Sequence, residues 1–108
     1  MKKYKRIVVK IGTKVIASKD IGLDANRIDG IAYQIEAVMG QGVDVILVTS
    51  GAIAAGVRLL NMKKRPSDLA SLQAAAAIGQ YHLMTMYGEF LKKKQYQVGQ
   101  ILLTQEDF

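Results

Sequence analysis

The sequence contains no cysteine. That excludes disulfides, thiolate metal sites and a cysteine nucleophile, and it fits a reducing compartment. There is one histidine, His82. With no second imidazole or thiol at ligand spacing, it reads as a structural or solvent-facing residue of a helix. No apolar run approaches the ~20 residues of a membrane span. Basic residues precede an apolar run in MKKYKRIVVKIG, but Lys10 interrupts that run early, so no signal peptide is expected. Acidic residues are few: 9 against 15 Lys and Arg, for a net charge of +6. The excess comes mainly from Lys2, Lys3, Lys5 and Arg6, from Lys63, Lys64 and Arg65, and from Lys92 to Lys94. Such clusters at element ends serve solubility, or they meet an anionic ligand. Nucleic acid is poorly supported, because no aromatic ladder, RNP-like motif or zinc finger accompanies the charge.

What is present is a chain of 108 residues, half of them hydrophobic, enough for one domain or part of one. Its pivotal stretch is VDVILVTSGAIAAG, from Val43 to Gly56. Val45 to Val48 is too short for an ordinary helix and rich in β-branched residues. It predicts a central strand covered on both faces, as in a parallel sheet. Thr49, Ser50 and Gly51 break the run, and Ala52 to Leu60 is helix-friendly. A strand, a small polar turn and a helix N-terminus together offer unpaired N–H groups and positive dipole potential to an anion. An ordinary strand-to-helix turn has the same letters, so pattern alone leaves both readings open.

Upstream, Arg6 to Ile11 reads as a strand ended by Gly12. Lys10, near its end, either snorkels to solvent or faces a site. Thr13 to Leu23 is less regular: Val15 and Ile16 could pack locally, while Ser18, Lys19, Asp20 and Gly22 look like a loop. Asp24 is a helix N-cap, and Ile28, Ile31, Ile35 and Val38 make one helical stripe. Gly30 within it suggests close packing, and Gly40 and Gly42 end the helix. Strand, helix, strand at this spacing is a βαβ unit.

Downstream, Pro66 suits a first helical turn. A long helix follows from about Asp68 to Lys92, with Leu69, Leu72, Ala76, Leu83, Met86 and Phe90 mostly on one stripe. Ala74 to Ala77 with Gly79 would let a neighbouring backbone approach closely. Val98 to Thr104 reads as a third strand, with Gly99 marking a bulge or a close approach. Gln105 to Phe108 look like the start of another connection. The expectation is therefore the opening portion of a larger α/β domain, residues 1–108, with the remainder absent.

In open α/β sheets, ligands bind beyond the carboxyl ends of the strands. Lys10 with Gly12, and Ser50 with Gly51, both fall there. If the strands are neighbours, an ammonium and amide donors converge, as phosphoryl transfer requires. Other phosphate and nucleophile motifs fail on the letters. Val57 and Arg58 follow Gly56 where a P-loop needs Lys and Ser or Thr, and Val45 stands where a third Rossmann glycine should be. Val48 replaces the first glycine of a nucleophile elbow at Ser50, which also has no evident base.

Four motifs, IVVKIGTKVI, VILVTSGAIAAG, LQAAAAIGQ and VGQILLTQEDF, resemble in order and spacing the N-terminal region of the glutamate 5-kinase branch of the amino-acid kinase family. The resemblance implies a three-layer α/β/α sandwich with a mostly parallel sheet. It implies a cytoplasmic, usually oligomeric enzyme that phosphorylates the γ-carboxylate of L-glutamate with ATP and Mg²⁺, the first step of proline biosynthesis. By the same resemblance, Lys10 is catalytic and binds ATP phosphate, and Gly12 lets phosphate approach. Ser50 contacts glutamate, Gly51 and Ala52 offer backbone amides, and no residue here binds metal. The runners-up are a family member acting on another carboxylate, carbamate or phosphate, a non-catalytic anion- or RNA-binding module, and a fragment that assembles through its open sheet edge.

Overall fold

RIVVKI forms strand β1, Arg6–Ile11, as its β-branched content predicts. DVILVT forms β2, Asp44–Thr49. In this computed structural model, which describes residues 3–18 and 22–107, the two strands pair in parallel, with Arg6 opposite Asp44 and Ile11 opposite Thr49. Between them lie a four-residue helix, α1, Thr13–Ile16, and a longer one, α2, Ala25–Met39. Helices α3, Ala52–Leu59, and α4, Leu69–Lys92, follow, and a 3₁₀ turn spans Gln105–Asp107. Of the residues expected in the N-terminal basic cluster, the loop before Leu23 and the last motif, Lys2, Lys19, Asp20 and Phe108 lie outside the described residues.

Caps set where the helices begin. The Asp24 carboxylate accepts from the N–H groups of Asn26 and Arg27, 2.9 and 3.3 Å away, and starts α2 as expected. Asp68 does the same for α4, accepting from Ser71 N–H at 2.9 Å. Pro66 therefore precedes the helix and is not part of its first turn. Interaction with Ser71, its hydroxyl first and then its N–H, holds the Asp68 carboxyl below the usual carboxylate range. A depressed native pKa gives stabilisation that is present above the unfolded value and is lost as pH falls through the native one. Asp68→Asn, an equally good cap, should keep neutral-pH stability and flatten the acid limb of a plot of thermal midpoint against pH. Identical acid limbs for the two chains would refute this.

The core lies on one face of the sheet. Ile11, Ile16, Ile28, Leu83 and Tyr87 are buried together, with Val9, Leu23, Leu47, Met86 and Phe90 around them. A second group, Ala32, Ile35 and Leu91, continues it toward Val45 and Tyr96. The buried row of α4 is Ala75, Gly79, Leu83, Tyr87 and Leu91. This corrects the predicted stripe: Leu69 is 69% exposed, and Ala76, Met86 and Phe90 flank the row. The reason is that α4 packs against both α3 and α2. A row of i+4 neighbours, small at its start and large at its end, serves both contacts.

Gly79 carries the close approach the sequence suggested. A Cβ there would land on the Ala52 carbonyl oxygen of α3, and one at Gly56 would land on the Ala75 carbonyl of α4. The two helices thus touch backbone to backbone. Gly30 has no such role, since it is exposed and nothing lies within 4 Å of a Cβ placed there. Gly99 is likewise open.

Two further expectations fail. Val98 to Thr104 forms no strand, and Ile101 is 83% exposed. A strand exists through its pairing partner, and this segment joins neither β1 nor β2. The β2 strand is also not covered on both faces. Val8, Ile46 and Val48 point away from α2 and α4 and are exposed, Val8 by 64%. The helices among the described residues pack on the other face.

Candidate functional site

The last rung of the sheet defines the site. Ser50 N–H donates to the Ile11 carbonyl at 2.9 Å. It places Gly12 and the Ser50–Gly51 turn side by side at the carboxyl ends of adjacent strands, where α/β sheets hold ligands. Gly12 is extended, with φ −80° and ψ 160°, and nothing lies within 4 Å of a Cβ built on it. Among the described residues no packing accounts for glycine there, so its missing side chain leaves room that a ligand can use.

Lys10 lies two residues before Gly12, opposite Val48. Its side chain is exposed, on the open face with Val8. Among the described residues its ammonium forms no ion pair. Of the two placements left open by sequence, this is the solvent-facing one. Ser50 is two residues beyond Val48, roughly 7 Å along the strand, a span that the flexible four-carbon stem of a lysine covers. The tip of the sheet is therefore within the ammonium's range.

Gly51 is buried and left-handed, with φ +119° and ψ −4°, at the N-cap of α3. A Cβ there would stand 2.9 Å from Ile16 Cδ1 and 3.3 Å from Leu23 Cδ2. Backbone conformation and packing both require glycine at this position. No side chain caps α3. The first intrahelical bond runs from Ala55 N–H to the Gly51 carbonyl at 3.0 Å, so the donors of the first turn, Ala52 among them, have no side-chain acceptor. Ser50 is exposed beside them.

Behind this turn lies a pair of side chains that sequence reasoning missed. The Thr49 hydroxyl donates to the Ser50 carbonyl at 2.9 Å. Tyr87 Oη lies 3.0 Å from the same hydroxyl. Burial raises the Tyr87 pKa, partly offset by Thr49, so the phenol stays protonated. The available signal was faint: Tyr87 is the only residue with a polar tip on the buried row of α4. His82 is half-buried on α4 and belongs to none of these contacts.

The arrangement suits an anion. It has an ammonium with no ion pair among the described residues, a glycine that leaves space, and helix-terminal amides on adjacent strand tips. Among the described residues, no three His, Cys, Asp or Glu side chains are grouped to hold a metal ion, and no helix is long and apolar enough to cross a membrane.

Residues 5–108 match the amino acid kinase family. The chain is 46% identical over 107 residues to a glutamate 5-kinase of Citrifermentans bemidjiense, covering 99% of this chain and 29% of that protein. It is 48% identical over 101 residues to a glutamate 5-kinase of Rhodococcus opacus, covering 94% and 28%. A third, from Nocardia farcinica, is 45% identical over 102 residues, covering 94% and 28%. The chain thus spans less than a third of the length of the curated relatives it matches.

Proposed function

The chain belongs to the amino acid kinase family, and on that premise we propose that it is the part of a glutamate 5-kinase that brings the γ-carboxylate of L-glutamate and the transferring phosphoryl group together. The observation that carries this reading is the Ser50 N–H bond to Ile11, which sets both strand tips beside each other. In this reading the reaction is ATP-dependent formation of L-glutamate 5-phosphate in proline biosynthesis. The enzyme is cytoplasmic and homo-oligomeric, with the rest of the ATP site supplied by residues that the longer relatives have beyond the matched region.

A carboxylate attacking a phosphoryl group brings two anions together, and the protein must offset their repulsion. Lys10 supplies a full positive charge on the side of the phosphates. The Gly51 and Ala52 amides donate to the oxygens of the reacting groups, and the Ser50 hydroxyl orients glutamate. Gly12 keeps the phosphate path open. Each of these donors counts for more once water is excluded from the crevice. When bound, ATP supplies the phosphoryl group and Mg²⁺ screens its charge. The residues at the strand tips fit a phosphate. Among the described residues no three His, Cys, Asp or Glu side chains are grouped around these tips.

Exchanging this chain for the aligned segment of the Citrifermentans bemidjiense enzyme tests the reading. The chimera should release ADP in a glutamate-dependent manner, with little activity on aspartate, N-acetylglutamate or carbamate. The 108-residue chain alone should give no turnover in the same coupled assay. A folded chimera that prefers another acceptor, or steady turnover by the isolated chain, would overturn it.

A further inference from the structure

The turn between β2 and α3 is only two residues long, Ser50 and Gly51. The peptide that joins them carries the Gly51 N–H, one of the donors invoked above. Glycine accepts φ of either sign, so residue type does not by itself fix how that peptide is turned. A planar trans peptide points its C=O and its N–H in opposite directions. Whatever holds the Ser50 carbonyl therefore also aims the Gly51 N–H.

Thr49 holds it, with its Oγ1 2.9 Å from the Ser50 oxygen. The one hydroxyl proton of Thr49 is spent on that bond. In the 3.0 Å contact between Thr49 Oγ1 and Tyr87 Oη, Tyr87 is then the donor and Thr49 the acceptor. Tyr87 is 2% exposed and wedged among Ile11, Ile16, Ile28 and Leu83, so its phenol is a fixed point. The proton order runs Tyr87 O–H to Thr49 O–H to Ser50 C=O.

We propose that Tyr87 is a positioning residue: acting through the Thr49 hydroxyl, it locks the Ser50–Gly51 peptide so that the Gly51 N–H turns away from the α4 side and toward the anion. This rests on the reading of the strand tips as the site of phosphoryl transfer. It adds a residue on a different helix, remote in sequence, whose hydroxyl touches no substrate.

The test uses the ¹⁵N-labelled chain, with inorganic phosphate as the probe and the Gly51 amide resonance as the reporter. In the unsubstituted chain, phosphate should shift the Gly51 amide. Tyr87→Phe keeps the ring packing and removes only the donor. It should weaken the phosphate affinity read at Gly51 by about five- to tenfold, the scale of one hydrogen bond. Thr49→Val should do the same, and Thr49→Ser, which restores the hydroxyl, should return the affinity to that of the unsubstituted chain. Tyr87→Phe combined with Thr49→Val should be no worse than either alone, because both break one relay. A purely structural role for Tyr87 would give neither the serine rescue nor this non-additivity. If Tyr87→Phe does not fold, the valine and serine variants at Thr49 carry the test. Equal phosphate affinities for the unsubstituted chain and the Thr49→Val variant would overturn the relay and leave the proposed function standing. No response at Gly51 in the unsubstituted chain would overturn both.

Discussion

Replacing Lys10 by alanine in the chimeric kinase lowers kcat by about 10²- to 10³-fold, the range seen when one donor to developing transition-state charge is removed. The same substitution in the isolated chain shifts stability by no more than about 0.5 kcal/mol, as for other exposed positions. The two expectations follow from the same facts. Lys10 is exposed and forms no ion pair among the described residues, so the fold draws nothing measurable from its charge. In the proposed reading, its place near the end of β1, opposite Val48 and two residues short of the Ser50–Gly51 turn, brings a cation to the transferring phosphoryl group. Lys10→Arg should recover only part of the rate, because a planar guanidinium does not substitute for a compact ammonium. Steady-state kinetics at saturating glutamate and ATP, paired with thermal melts, check both halves. An unchanged kcat would remove Lys10 from the chemistry.

Gly79→Ala produces a large loss of stability. The added methyl would land on the Ala52 carbonyl oxygen and beside the Gly56 nitrogen. Backbone atoms cannot rotate aside, so α3 must move off α4. Overpacking of this kind costs up to about 3 kcal/mol or more, and alanine returns about 1 kcal/mol of helix propensity. The net loss of about 2 kcal/mol or more lowers the thermal midpoint by roughly 10 °C or more in a chain of this size. Gly30→Ala is the matched control. It too is a helical glycine, but with nothing within 4 Å of the new Cβ. It should stabilise the chain by up to about 1 kcal/mol. Circular dichroism melts of the two variants should move in opposite directions. Melts that move together would falsify the account of the α3–α4 contact. Displacement of α3 also carries Ala52 away from the strand tips, so Gly79→Ala should weaken the Gly51 response to phosphate as well.

Features with local causes were legible in the letters. The β-branched run of β1, the Asp24 cap and the Ser50–Gly51 break all depend on neighbours a few residues away. The close approach at Gly79 was legible too, because a cluster of small residues has few other uses in a helix. Features that depend on a distant partner were not. Val98 to Thr104 has the composition of a strand, but pairing decides strands, and that segment has no pairing here. The phase of α4 was misread because two helices compete for its surface, and Ala75 and Gly79 are buried for their size and not for their hydrophobicity. At the site, Lys10, Gly12, Ser50, Gly51 and Ala52 were all named from sequence, and they fall on two adjacent tips. Thr49 was named only as part of the break after β2 and Tyr87 not at all, since nothing in the sequence ties residue 49 to residue 87.

The exposed side of the sheet gives Lys10 a duty apart from the one proposed. Val8, Ile46 and Val48 make a short greasy strip on two strands that are both edges among the described residues, the kind of surface that recruits other chains. Arg6 paired with Asp44 closes one end of that strip at 3.3 Å, and the Lys10 ammonium closes the other. Charges so placed act as gatekeepers against self-association. A neutral residue at position 10 therefore removes the proposed phosphate-side cation and unguards the strip together, so any fall in rate should be read alongside light scattering at the same protein concentration.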